Sequence, residues 1–159
     1  MLSTTILVQT LQNVPHVDLK RYACKWYEIA SFLNRFQKGC NCTTAEYSLT
    51  DNGFVTVENM CNKDSIIGHH SYIKCKAYFF KNSGNAKLKV QFFLPIKAKY
   101  WIIDLAENYG YAVLGHPNRK YLWILSRTPK MEEVIYDDIL IRLKEKGFVL
   151  NMLRMTKQI

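Results

Sequence analysis

From Trp26 onward the chain is built from short runs in which apolar and polar side chains alternate, and this pattern limits the available folds more than any other feature. Thr43 to Leu49 sets Ala45, Tyr47 and Leu49 against Thr44, Glu46 and Ser48. Phe54 to Met60 carries Val55, Val57 and Asn59 on one face. Tyr72 to Phe80 sets Ile73, Cys75, Ala77 and Phe79 against Lys74, Lys76 and Tyr78, and Lys87 to Phe93 sets Leu88, Val90 and Phe92 against Lys87, Lys89 and Gln91. A period of two marks strands with one buried face and one wet face. Trp26–Phe32, Tyr100–Leu105, Tyr109–Leu114 and Tyr121–Ser126 complete a set of eight predicted strands. Asp51-Asn52-Gly53, Asn82-Ser83-Gly84-Asn85 and Gly115-His116-Pro117-Asn118 are turn signals between neighbours. Sequential hairpins favour an all-β, antiparallel, up-and-down sheet, and closure into a barrel removes its exposed edges.

The flanks read differently. Residues 1–16 are expected to form an N-terminal extension, and 17–159 one barrel domain with a C-terminal α-helix on its wall and a final short strand or arm. Asp18 to Tyr22 reads as one helical turn. Thr128-Pro129 predicts the start of the C-terminal helix, with Thr as N-cap and Pro in the first position, and Gly147 predicts its end. Leu33 to Asn41 is polar, basic and too long for a hairpin turn, so it is placed as a lid over an opening. Met1 to Val14 lacks the basic leader and long apolar core of an export signal. The expectation is a chain that stays inside, or one whose export segment is missing from this sequence.

A net charge of +9 favours anionic partners. The lysines are scattered through the strands, which argues against a nucleic-acid patch and leaves an anionic membrane surface as a candidate partner. Five cysteines leave at least one thiol unpaired in a monomer. If the turn at Asp51–Gly53 closes between Thr50 and Gly53, Cys42 falls opposite Cys61, and a Cys42–Cys61 disulfide is expected. Neither the cysteines nor the His69-His70 pair has metal-motif spacing, so no metal and no cofactor are expected. Trp26 is placed at the barrel floor with the Arg127 guanidinium over its ring, a barrel-closing pair whose contact is worth roughly 0.5–2 kcal/mol.

Trp26-Tyr27-Glu28-Ile29-Ala30 after Asp18-Leu19-Lys20-Arg21-Tyr22, then Ala45–Leu49, Lys76–Phe79 and Tyr121–Pro129, together resemble a lipocalin, and most of all the bacterial outer-membrane lipoprotein type. The resemblance runs from about Val17 to the C-terminus. It implies an eight-stranded calyx, one bound fatty acid or lysophospholipid, carriage or storage for cell-envelope lipid maintenance, and an envelope location. Cys24 stands where the family usually has Gly two residues before the Trp.

The expected ligand wall is Ala45, Tyr47, Val57, Asn59, Ala77, Phe79, Val90, Phe92, Tyr121 and Trp123, small residues beside large ones. Asn59, Tyr47 and Tyr121 offer neutral polar contacts, and Arg35, Lys38, Lys97 and Lys99 are placed around the mouth. A filled barrel is the competing arrangement. The functional expectation is a non-catalytic lipid binder, monomeric or weakly dimeric. An enzyme on the same scaffold, with Cys24 or Cys75 as nucleophile beside a histidine, and a protein- or membrane-surface interaction module are the alternatives.

Overall fold

The computed structural model describes residues 9–34, 37–93 and 96–159, with the side chains at 92–93 and 96–97 outside that description. The alternating runs form β1 (Cys24–Phe32), β2 (Cys40–Leu49), β3 (Val55–Lys63), β4 (His69–Phe79), β5 (Lys87–Phe93), β6 (Ile96–Leu105), β7 (Tyr111–Gly115) and β8 (Leu122–Ser126). Each is antiparallel to its chain neighbour, and β1 pairs with both β2 and β8. The sheet is therefore a closed eight-stranded barrel. Several strands start two or three residues earlier than the alternation alone suggests, because ladder pairing continues where one-sided burial ends.

β1 changes partner along its length. Its first half pairs with β2 as far as Tyr27↔Thr44. Beyond that point β1 and β2 diverge, and a short β9 (Leu153–Met155) pairs with Ala30–Phe32 instead. The chain after β9 fills the gap: Thr156 N donates to Ile29 O (2.9 Å) and Cys42 N to Lys157 O (2.7 Å). Gln158 Nε2 bridges the carbonyls of Glu28 (2.8 Å) and Thr43 (2.9 Å), one on each strand.

A β-bulge sits in β2 between Asn41 and Thr44, with Cys42 at φ +53°. This corrects the expected Cys42–Cys61 disulfide. The bond is Cys40–Cys61, with Cα atoms 5.4 Å apart, and Cys42 is a free, half-buried thiol. The hairpin closes at Leu49↔Val55, one residue off the assumed Thr50–Gly53 closure, and the bulge beyond Thr44 shifts the register again, so Cys40 pairs in the ladder with Lys63 and its bond to Cys61 runs diagonally between the strands.

The helical parts are α1 (Leu19–Tyr22) and α2 (Glu133–Glu145). Asp18 caps α1 by accepting from Lys20 N and Arg21 N. α2 begins later than Thr128-Pro129 predicts. Thr128 instead closes a turn, its N–H donating to Ser126 Oγ and its hydroxyl to Lys130 O, and Glu132 holds the N-cap position without a side-chain bond. Gly147, at φ +89°, follows the helix as expected. Residues 9–16, expected as an extension, lie along the barrel, with Leu11 buried and Val14 N bonded to Ile102 O (2.9 Å). Gly84, at φ +63°, permits this approach, since a Cβ there would collide with the Pro15 carbonyl.

Two cores result. One lies outside the barrel, where α2 buries Ile139 and Leu143 against Ile103, Val113 and Ile124. Each such fully buried side chain is worth about 1.5–3 kcal/mol. The other lies inside, around Trp26, Tyr22, Val55, Ala77 and Leu88.

Candidate functional site

The barrel interior is filled at one end and hollow at the other. At the filled end Trp26 is fully buried, and its indole N–H donates to Tyr22 O (2.9 Å). Tyr22 stacks at a tilt on Trp26 and edge-on to Tyr47, at 5.2 and 5.0 Å. The Arg127 guanidinium lies 3.6 Å from the Trp26 ring centroid. It also donates to the carbonyls of Arg21 (2.6 Å), Lys25 (3.0 Å), Tyr22 (3.2 Å) and Tyr109 (3.3 Å). α1 is thereby stitched across the barrel end.

Above this floor is a cavity of about 330 Å³, within the range of roughly 300–1,000 Å³ usual for small-molecule sites. Of the residues expected to line it, Ala45, Tyr47, Val57, Asn59, Val90, Tyr121 and Trp123 do so. Ala77 and Phe79 do not. Ala77 is fully buried in the floor core, and Phe79 packs against the same cluster. Both point inward, but β4 descends toward the floor, and alternation reports the face of a residue and not its height. The Phe92 side chain lies outside the described residues, as do Arg35 and the Lys97 side chain.

Several wall residues are not marked by the strand pattern. Tyr100, in a run too uniformly apolar to mark an inward face, lies edge-on to Trp123 at 4.6 Å, and Tyr121 stacks on Trp123 at 6.2 Å. Ala98 and Leu114 add to the apolar lining, as do Ile73 and Leu125, whose inward faces the alternation does mark. Burial pushes the Tyr100 hydroxyl well above its ordinary value and Tyr47 up to about 12, so both remain neutral donors. Burial also pushes the Cys75 thiol, on the inner face of β4, up to about 11, which withholds the thiolate that nucleophilic chemistry requires.

One wall is polar. Glu28, 4% exposed, borders the cavity. Its carboxylate accepts from Gln37 Nε2 (2.8 Å) and from the Thr156 hydroxyl (2.5 Å). Gln37 Oε1 accepts from Trp123 Nε1 (2.9 Å) and Asn34 Nδ2 (2.6 Å). Burial raises the Glu28 pKa, an effect only partly offset by hydrogen bonds from Thr156, Gln37 and Ser31. Thr43 and Thr44 stand beside it, both turned toward the cavity region at the bulge. The expected lid loop thus reaches the site through Asn34 and Gln37. A signal for Glu28 exists in the sequence, since it lies two residues after Trp26 and shares its face. Thr43, Asn34 and Gln37 carry no such signal, because a bulge and a loop have no period.

His116 borders the cavity, whereas Lys38 and Lys99, expected around the mouth, are exposed and do not line it, Lys99 lying within β6 between the lining residues Ala98 and Tyr100. Burial lowers the His116 pKa, and Lys99 adds to that.

Comparison with known proteins agrees with this geometry. A family model described as a lipocalin-like domain matches residues 17–158. The chain is 37% identical over 151 residues to the outer membrane lipoprotein Blc of Vibrio cholerae, covering 94% of this chain and 88% of that protein. It is 36% identical over 157 residues to temperature-induced lipocalin-1 of Arabidopsis thaliana, covering 93% and 83%. Among solved structures, insecticyanin of the tobacco hornworm Manduca sexta superposes with a TM-score of 0.75 at 19% identity, covering 94% of this chain and 85% of that one, a likeness of fold.

Proposed function

The chain belongs to the lipocalin family, and from that premise we propose that it binds one fatty acid or lysophospholipid in the barrel cavity and carries or stores it. The observation that carries this reading is the blind apolar cavity, floored by Trp26 and Arg127 and walled by aromatic and aliphatic side chains. An acyl chain entering it gains about 0.8 kcal/mol per buried methylene without needing a polar partner. His116 borders the cavity, with exposed Lys99 close enough to act on it and exposed Lys38 next in the chain to the lining residue Gln37, so a phosphate or carboxylate left in water at the mouth would have cations nearby.

The proposed setting is a cell envelope. The Vibrio cholerae relative is by name an outer membrane lipoprotein, and the Cys40–Cys61 disulfide suits an oxidising compartment. The +9 charge supports exchange of ligand at an anionic membrane surface, which salt-sensitive binding to anionic vesicles would detect. The protein acts as a non-catalytic carrier, as a monomer or weak homodimer.

Native mass spectrometry of delipidated protein mixed with a fatty acid or a lysophospholipid tests the reading. A one-to-one adduct is expected with at least one of them, and Val57→Trp, which fills the cavity, removes it. Wild-type protein that takes up neither lipid overturns the proposal.

A further inference from the structure

The polar wall has an unbalanced set of hydrogen-bonding groups. A carboxylate presents about four acceptor positions. Glu28 meets three donors of the protein, the Thr156 hydroxyl, the Gln37 amide and the Ser31 hydroxyl. Among the described residues the ion pairs are Lys74–Glu58 and Arg142–Asp104, and neither brings a cation to Glu28. Beside it the residue Thr43, 6% exposed, lines the cavity, and its buried hydroxyl, which a turn about the Cα–Cβ bond would bring to the cavity, has no hydrogen-bond partner among the described residues. Buried polar groups are ordinarily paired, and leaving one unpaired is costly. Gln37 cannot turn to serve Thr43, because its oxygen is held by Trp123 and Asn34 and its nitrogen already donates to Glu28.

We infer that Glu28 and Thr43 form a subsite inside the cavity for a hydrogen-bond-donating, non-anionic group, an ammonium or a hydroxyl, on a single-chain amphiphile. The inference rests on the lipid-binding reading and deepens it. An ammonium or hydroxyl donates to the open Glu28 position and occupies the Thr43 hydroxyl, completing the wall. A carboxylate brought to the same place sets oxygen against oxygen in a medium of low dielectric, where repulsion is weakly screened. A fatty acid must therefore hold its head out at the mouth, near Lys99, while an amine or alcohol of equal length draws its head in.

The test is competition on the full chain. A neutral fluorescent probe, N-phenyl-1-naphthylamine, is displaced by dodecylamine, dodecanol or dodecanoate, three ligands with the same tail. Wild-type protein is expected to bind the amine and the alcohol about tenfold more tightly than the acid, the scale of one hydrogen bond involving a charged group. In Glu28→Gln the amine-to-acid ratio falls about tenfold. Thr43→Val, which leaves the carboxyl in place, lowers the alcohol-to-acid ratio several-fold and keeps the inference testable if Glu28→Gln does not fold. A wild type that binds dodecanoate as well as or better than dodecanol overturns the inference, as do ratios unchanged in folded variants. A wild type that admits neither the probe nor any of the three chains instead takes down the lipid-binding reading, and the subsite with it.

Discussion

Trp26 and Glu28 are two residues apart on one strand and point the same way, yet they serve opposite ends of the barrel. At Trp26 the indole N–H and the Arg127 guanidinium bond to backbone carbonyls of the chain and the rings pack against one another, with the Tyr22 hydroxyl buried and without a hydrogen-bond partner among the described residues. At Glu28 the partners come from two other segments, the lid loop and the C-terminal tail, and from Ser31 on β1 itself, and the hydroxyl of neighbouring Thr43 is without a partner among the described residues. The difference shows how one strand supplies both a seal and a binding wall. Stacked rings and a guanidinium bonded to backbone carbonyls make the floor, whereas the cavity wall gathers a buried carboxylate and its side-chain donors.

The comparison can be broken first at the floor. Trp26→Ala removes the largest fully buried side chain and is expected to cost about 3–5 kcal/mol, read from the denaturant midpoint. A loss below about 1 kcal/mol, the scale of an ordinary substitution, would mean the floor is not sealed by packing. At the open end the expected staple is covalent. Cys40→Ser costs about 3 kcal/mol under oxidising conditions, given the 21-residue separation, while Cys42→Ser is near neutral. Equal effects would place the bond elsewhere. Arg127→Lys keeps the charge but loses the planar fork across four carbonyls, at an expected cost of about 2 kcal/mol.

Two smaller effects sharpen the contrast. Cys24 adopts φ +76°, a left-handed conformation that costs a non-glycine residue about 1–2 kcal/mol. Cys24→Gly relieves this, partly offset by the entropy of the unfolded chain, for a net gain of about 0.5–1 kcal/mol. Glu28 gives a pH signature. Its folded pKa is raised above the ordinary 4.5, so the native state holds a proton that the unfolded chain has released. Its contribution to stability is complete below that ordinary value and is lost as pH rises through the folded one. Glu28→Gln lacks this loss. The melting temperature of the variant relative to wild type should rise from mildly acidic to neutral pH, and a flat difference would contradict the burial.

Much of the barrel was legible because period two is written into each strand by solvent on one side only. Tyr47, Val57, Val90 and Trp123 were found at the cavity on that basis. Ala77 and Phe79 were misplaced because facing inward does not tell floor from cavity. The disulfide partner of Cys61 was missed by two residues because the hairpin closes at Leu49↔Val55, one residue off the assumed register, and because the Cys42 bulge leaves no mark in hydrophobicity. The helix start slipped from Thr128 to Glu133 because a Thr-Pro pair suits a turn as well as a helix end.

The residue order by itself determined the eight-stranded alternation and the glycine after the C-terminal helix, which follow from local sterics and one-sided burial, while the Trp26–Arg127 pair was legible only on the premise that their two strands belong to one closed barrel. Only the tertiary structure decided how high the packing rises, which cysteine meets Cys61, and that the lid loop and the chain's last residues converge on Glu28. Those outcomes depend on contacts between segments up to 130 residues apart. No local preference encodes such contacts, because they exist only once the barrel has closed.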